Sequence, residues 1–179
     1  MVIDMQVGLF GESTHRYDAE GVVQRINTVA GEVRASEGSV IFIQHDGQAG
    51  GILEPDTPGW EFLPALERAE EDLVVRKQAC DAFYETELGN ILDERDPKPL
   101  IITGCATDFC VDTTVRGTTS RDYEVIVVED GHTTADRPHL NAVDIIQHHN
   151  WVWKGLILPR SQVKVLSAER VVSLIKSVN

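Results

Sequence analysis

Leu100-Ile101-Ile102-Thr103-Gly104-Cys105-Ala106-Thr107-Asp108-Phe109-Cys110-Val111-Asp112 opens as an apolar run, breaks at a glycine-containing turn and continues as a polar stretch able to start a helix. A buried strand joined to a helix by so short a turn is the repeating unit of a mainly parallel sheet. The same alternation extends in both directions from this segment. Val2–Met5, Ser39–Gln44, Leu73–Arg76, Leu100–Thr103, Glu124–Val128 and Val163–Leu166 read as strands. Ala19–Ser36 carries Val22, Val23, Ile26, Val29 and Val33 at helical spacing and stops before Gly38. Glu85–Glu94, Asp108–Arg121, His139–His148 and Ala168–Ser177 supply the other crossover helices, so the expected class is α/β, Rossmann-like.

Two segments break the rhythm. Gly47–Pro58 is rich in Gly and Pro and too long for an ordinary connection. Glu129–Pro138 is polar and follows a strand, at the sheet edge where open α/β folds bind ligands. It is expected to be a loop.

Length and charge narrow the function. A chain of 179 residues suits one domain over 1–179. With 29 acidic against 16 basic residues, the net charge of −13 argues against a nucleic-acid partner, which clustered Lys and Arg would bind. Three cysteines without a signal-peptide pattern predict reduced thiols and a cytoplasmic protein. No apolar run approaches the roughly 18–20 residues that cross a bilayer, so no membrane is expected.

Three residues stand where chemistry is done. Cys110 is placed in the first turn of a helix, where free N–H groups and the helix dipole favour thiolate and could hold an oxyanion. Asp4 closes the first strand and Lys77 follows the third. Taken singly, Cys110 serves equally as a small buried hydrophobe, Asp4 as a turn cap and Lys77 as a solvated side chain. Together they bring a thiol, an acid and an amine from three strand ends to one crevice, the logic of nucleophile, base and orienting group.

Val2-Ile3-Asp4-Met5-Gln6, the Lys77 segment ending in Ala82-Phe83, and Gly104-Cys105-Ala106-Thr107-Asp108-Phe109-Cys110-Val111 resemble the isochorismatase-like cysteine hydrolases, which include nicotinamidases and N-carbamoyl amidohydrolases. The resemblance implies a three-layer α/β/α fold with a six-stranded parallel sheet of order 3-2-1-4-5-6, and a homo-oligomer, dimer or higher. It implies Asp4 as general base, Lys77 as the residue holding Asp4 and the thiolate, and Cys110 as nucleophile on a small-molecule amide or related C–N bond through a thioester. Backbone N–H groups of Ala106 and Cys110 would form the oxyanion hole, with a cis peptide between Cys105 and Ala106. Cys105 then serves backbone geometry and Cys80 packs near the pocket wall.

Pocket residues implied by the resemblance are Phe10, Gln44, His45, Trp60, Phe83 and Phe109. The chain departs from nicotinamidases at Gln44-His45-Asp46-Gly47-Gln48, which lacks their Asp-x-His metal pair, so neither metal nor cofactor is expected. Asp81 stands where many relatives have serine, which would make the rim more acidic. The chain starts three residues before Asp4, so the first strand is short. The histidines near the carboxyl half, among them His132, His148 and His149, are expected in structural hydrogen bonds or oligomer contacts. Alternative readings are a vinyl-ether hydrolase, which Cys110 disfavours, and an idle scaffold, which the intact Asp4, Lys77 and Cys110 set disfavours. A Cys105/Cys110 redox pair lacks the close Cys-x-x-Cys spacing.

Overall fold

The computed structural model describes residues 1–11, 14–97, 99–160 and 162–178. Six parallel strands form one sheet: β1 (Val2–Ile3), β2 (Ile41–His45), β3 (Leu73–Lys77), β4 (Leu100–Cys105), β5 (Val125–Thr133) and β6 (Val163–Leu166). Their order is β3-β2-β1-β4-β5-β6, as the resemblance implies. The helices are α1 (Ala19–Ala35), α2 (Leu88–Arg95), α3 (Asp112–Thr119), α4 (Ala142–Lys154) and α5 (Ala168–Val178).

Alternation along the strands sorts side chains to two faces. Ile3, Ile41, Ile43, Val75 and Ile102 pack with Leu88 and Leu92 of α2, Val115 of α3 and Trp153 of α4. Val2 and Phe42 point the other way, onto Val22, Val23 and Ile26 of α1. Further along that face, Ile126 and Val128 meet Val29 of α1 and Val171 of α5. The inner strands are thus covered on both sides, which is why their runs are almost continuously apolar, while the edge strands β3 and β6 expose residues on one face.

Four differences from the expected elements bear on the site. First, β1 ends after two residues because Asp4 takes a left-handed φ of 47°, a conformation Asp tolerates better than most residues. Its N–H still reaches Ile43 O at 3.0 Å. Second, Val7–Phe10 forms a short 3₁₀ helix immediately after that turn.

Third, the helix expected over Asp108–Arg121 is split: a π-helical turn over Thr107–Val111 precedes α3, so Cys110 lies in the turn and not at an α-helical N-terminus. Fourth, β5 continues through Thr133 and absorbs half of the segment expected to be a loop. Its pairing with β4 shifts between Ile102 and Gly104, so that Gly104 faces His132 and Cys105 faces Thr133. The irregularity bridges polar Glu129 and Asp130, whose composition hides the strand. Gly47–Pro58 is, as expected, without helix or strand. No helix among the described residues is long and apolar enough to cross a membrane.

Candidate active site

The strand order brings four carboxyl-terminal ends side by side, those of β3, β2, β1 and β4. Lys77 ends β3, His45 ends β2, Asp4 follows β1, and Cys105 ends β4 five residues before Cys110. Asp4 and Lys77 are 1% and 2% exposed, so neither charge is tolerable without the other. Lys77 Nζ donates to Asp4 Oδ2 at 2.7 Å, to Ala79 O at 2.9 Å and to Cys110 Sγ at 3.4 Å, and lies 3.1 Å from His45 Nδ1. The second carboxylate oxygen, Asp4 Oδ1, is buried with no hydrogen-bond partner among the described residues. The structure therefore brings together all three residues singled out from the sequence.

Electrostatics follow from burial. Desolvation raises the Asp4 carboxyl above its ordinary range, although Lys77 and hydrogen bonds from Cys110 and Lys77 oppose it. Desolvation works against the Lys77 ammonium, but Asp4 and Cys110 more than compensate and hold its pKa above the ordinary lysine value. Burial and the neighbouring Asp4 charge push the Cys110 thiol up, with Lys77 pulling the other way. Burial thus works against the charged forms of Asp4 and Cys110, while the Lys77 ammonium is the group its neighbours hold charged. Burial in a π turn beside Asp4 therefore opposes the thiolate that a helix N-terminus would favour, and Lys77 supports it.

His45 is lowered by burial and by Lys77, which keeps the ring neutral and leaves Nδ1 to accept from the ammonium. A carboxylate oxygen of Asp4, a ring nitrogen of His45 and Cys110 Sγ lie within 4.8 Å of one another, a spacing that could hold a metal ion. Lys77 Nζ contacts all three residues, so the position a cation would take is filled by an ammonium.

The Cys105–Ala106 peptide is cis, as the resemblance implies. Both residues are buried, and the turn is closed by Phe109 and Val111 N–H groups donating to Ala106 O at 3.0 and 3.1 Å. Burial raises the Cys105 thiol to about 12, and Cys105 is fully buried where Cys110 is partly exposed.

A cavity of about 260 Å³ opens onto these groups, lined by Asp4, Leu9, Arg16, His45, Leu53, Cys80, Cys105, Ala106, Phe109, Cys110 and Arg137. A larger one, about 430 Å³, lies between α1 and the opposite strand ends; no thiol, imidazole or aspartate lines it. Of the expected pocket residues, His45 and Phe109 line the site cavity. Phe10 packs against the α1-side core instead. Phe83 is core, stacked on Tyr123 at 6.5 Å. Gln44 is buried and donates to Trp60 O at 3.0 Å, while the Trp60 indole donates to Asp46 at 2.8 Å, so both brace the Gly47–Pro58 loop. Asp81 accepts from Phe83 N–H at 3.0 Å as a turn cap and does not acidify the rim. Exposed Cys80 does line the wall.

Sequence inspection missed Arg16, Leu9, Leu53 and Arg137 because they lie in connections without periodicity. It missed the supports as well. Gln6 clasps His45, accepting from its N–H at 2.8 Å and donating to its carbonyl at 3.0 Å. Behind Cys110, Asn150 Nδ2 donates to Glu129 O, so its Oδ1 faces His132 Nε2–H at 3.0 Å; His132 Nδ1 then accepts from the Thr107 hydroxyl at 2.8 Å. His132 is structural, as expected.

The isochorismatase domain signature matches residues 1–152. A streptothricin hydrolase from Streptomyces noursei is 31% identical over 138 residues, covering 77% of this chain and 55% of that protein. A ureidoacrylate amidohydrolase from Methylorubrum extorquens is 34% identical over 89 residues, 50% of this chain and 36% of that one. The chain thus matches about half or less of these relatives' length. The crystal structure of a cysteine hydrolase from Pseudomonas syringae pv. phaseolicola 1448A superposes with a TM-score of 0.89 at 25% identity, covering 99% of this chain and 92% of the other. With a domain match over most of its residues and the same fold, the chain belongs to the isochorismatase family.

Proposed function

We propose that the protein is a hydrolase of small amides or related C–N bonds, with Cys110 as nucleophile, Asp4 as proton acceptor and Lys77 as the cation that holds both. The observation that carries this reading is the single buried Lys77 nitrogen in contact with Asp4 and Cys110, both of which line the cavity. Amide or hydrolase activity in the names of relatives supports it.

In this mechanism Asp4 takes the thiol proton as Cys110 Sγ attacks the carbonyl carbon. The oxyanion is held by the Ala106 and Cys110 N–H groups. Collapse expels the amine or ammonia, which takes the proton back from Asp4, and leaves a thioester. Water, deprotonated by Asp4, adds to the thioester, and the acid leaves as Cys110 recovers its proton. Asp4 suits both half-reactions because burial raises its basicity above that of an exposed aspartate.

The test is a screen of small amides with ammonia release as readout, followed by acid quench and intact mass. The expected result is turnover and a trapped acyl adduct on Cys110, both lost in Cys110→Ala and unaffected by EDTA. Full turnover by Cys110→Ala would refute the nucleophile assignment.

A further inference from the structure

Among the described residues, Arg16 is the one lining the site cavity whose charge is left over. The Asp4 carboxylate is bound to Lys77. Arg137 is held by Asp108 through two hydrogen bonds, at 2.8 and 2.9 Å, and by Thr134. His45 is neutral. Arg16 is 7% exposed, yet it has no carboxylate partner among the described residues. Its Nε donates to Leu9 O at 2.8 Å, and its buried Nη1 donates to nothing among the described residues.

A buried guanidinium nitrogen without an acceptor is costly, and native proteins rarely leave one without a use. The backbone holds it in place. Tyr17, the next residue, donates to Thr134 O at 3.0 Å and accepts from the Thr133 hydroxyl at 2.5 Å, which pins Arg16 to the end of β5. The side chain is anchored at Nε, its Nη1 lacks an acceptor among the described residues, and the residue lines the cavity that holds Cys110. In a chain of net charge −13, this cavity carries a surplus positive charge.

We infer that Arg16 is the substrate anchor, and that the substrate carries a carboxylate on the side of the molecule away from the scissile amide. A planar guanidinium fork matches a carboxylate, and the cavity lies below the usual range of about 300–1,000 Å³ for ligand sites, so a short amide of a diacid fits it. The inference rests on the hydrolase reading, but it is tested by binding without turnover.

Cys110→Ser protein is titrated calorimetrically with three monoamides of dicarboxylic acids, malonamate, succinamate and glutaramate, and with the three corresponding diamides. At least one monoamide is expected to bind roughly 10- to 100-fold tighter than its diamide. Adding Arg16→Met brings it down to the diamide's affinity, while Arg16→Lys retains part of the preference. Circular dichroism confirms that each variant is folded, and the comparison of probes on the Cys110→Ser protein alone needs no Arg16 variant. The inference is overturned if no monoamide is preferred, or if a folded Arg16→Met variant keeps the preference. Binding as expected without turnover by the parent protein would leave the anchor standing and refute the hydrolase reading instead.

Discussion

Lys77 organises the site because one ammonium meets four acceptors from four places in the chain: Asp4, His45, Ala79 and Cys110. Its removal therefore acts on both partners. In Lys77→Met, Asp4 loses the charge that opposes its desolvation and Cys110 loses the one influence lowering its thiol. The expected loss in kcat/KM is about 100- to 10,000-fold. In the parent protein the ionised Asp4 is the active form. Burial raises its pKa, so activity falls on the acid side at a pH above the 3.8 of an ordinary aspartate. Lys77→Met shifts that limb further up. A rate profile whose acid limb lies at or below 3.8, or does not move in the variant, would contradict the assignment. His132 makes a second prediction by a different route. Burial lowers it from 6.5 to about 4 and keeps it neutral between Thr107 and Asn150. The unfolded chain binds this proton more readily. Its contribution is therefore fully present above about pH 6.5 and lost as pH falls toward 4, a change of about 3 kcal/mol. Urea unfolding at several pH values should show His132→Asn less sensitive to acid than the parent by about that amount; parallel curves would refute it.

Among the elements, β1 and β4 approach closely where Ile3 faces Gly104. Gly104 has φ +126°, and a Cβ there would lie 2.2 Å from Ile3 O. Only glycine allows the strands carrying Asp4 and Cys105 to meet at this distance. Gly104→Ala is expected to cost about 3 kcal/mol in denaturant unfolding and to lower activity in whatever remains folded. A change below about 0.5 kcal/mol would show that the strands can part without cost. The same region shows what element patterns reveal and what they hide. β6 spans the residues that its alternation predicts, an edge strand with Val165 buried and Lys164 exposed. β5 was only half legible: past Val128 its polar residues continue the ladder across an irregularity set by tertiary pairing. The π turn at Thr107–Val111 was hidden because its residues satisfy helical periodicity, and sequence does not show the contact of Thr107 with His132.

Across the whole molecule, Asp4 and Lys77 were legible because each sits at the end of an apolar run, and Cys110 because it lies in the turn that follows one; the sheet order then brings those ends together. Arg16 was not, because a connection between a strand and a helix has no period to mark which side chain turns inward. Charge divides along the same line: the cavity keeps a surplus cation, while the molecule as a whole carries −13. That surplus of like charge destabilises the folded state by self-repulsion, which salt screens over a Debye length of about 10 Å at 0.1 M. Salt also weakens surface pairs such as Arg25–Asp18 and Lys154–Glu129, whose side chains are 30–53% exposed, but each is worth at most about 1 kcal/mol. The buried Lys77–Asp4 pair is beyond the reach of the ions. Net repulsion is spread over the whole surface and outweighs these few pairs. The Tm at pH 7 is therefore expected to rise by about 2–4 °C between roughly 20 and 200 mM sodium chloride, followed by scanning calorimetry. A fall would mean that the surface pairs, and not the net charge, set the salt response.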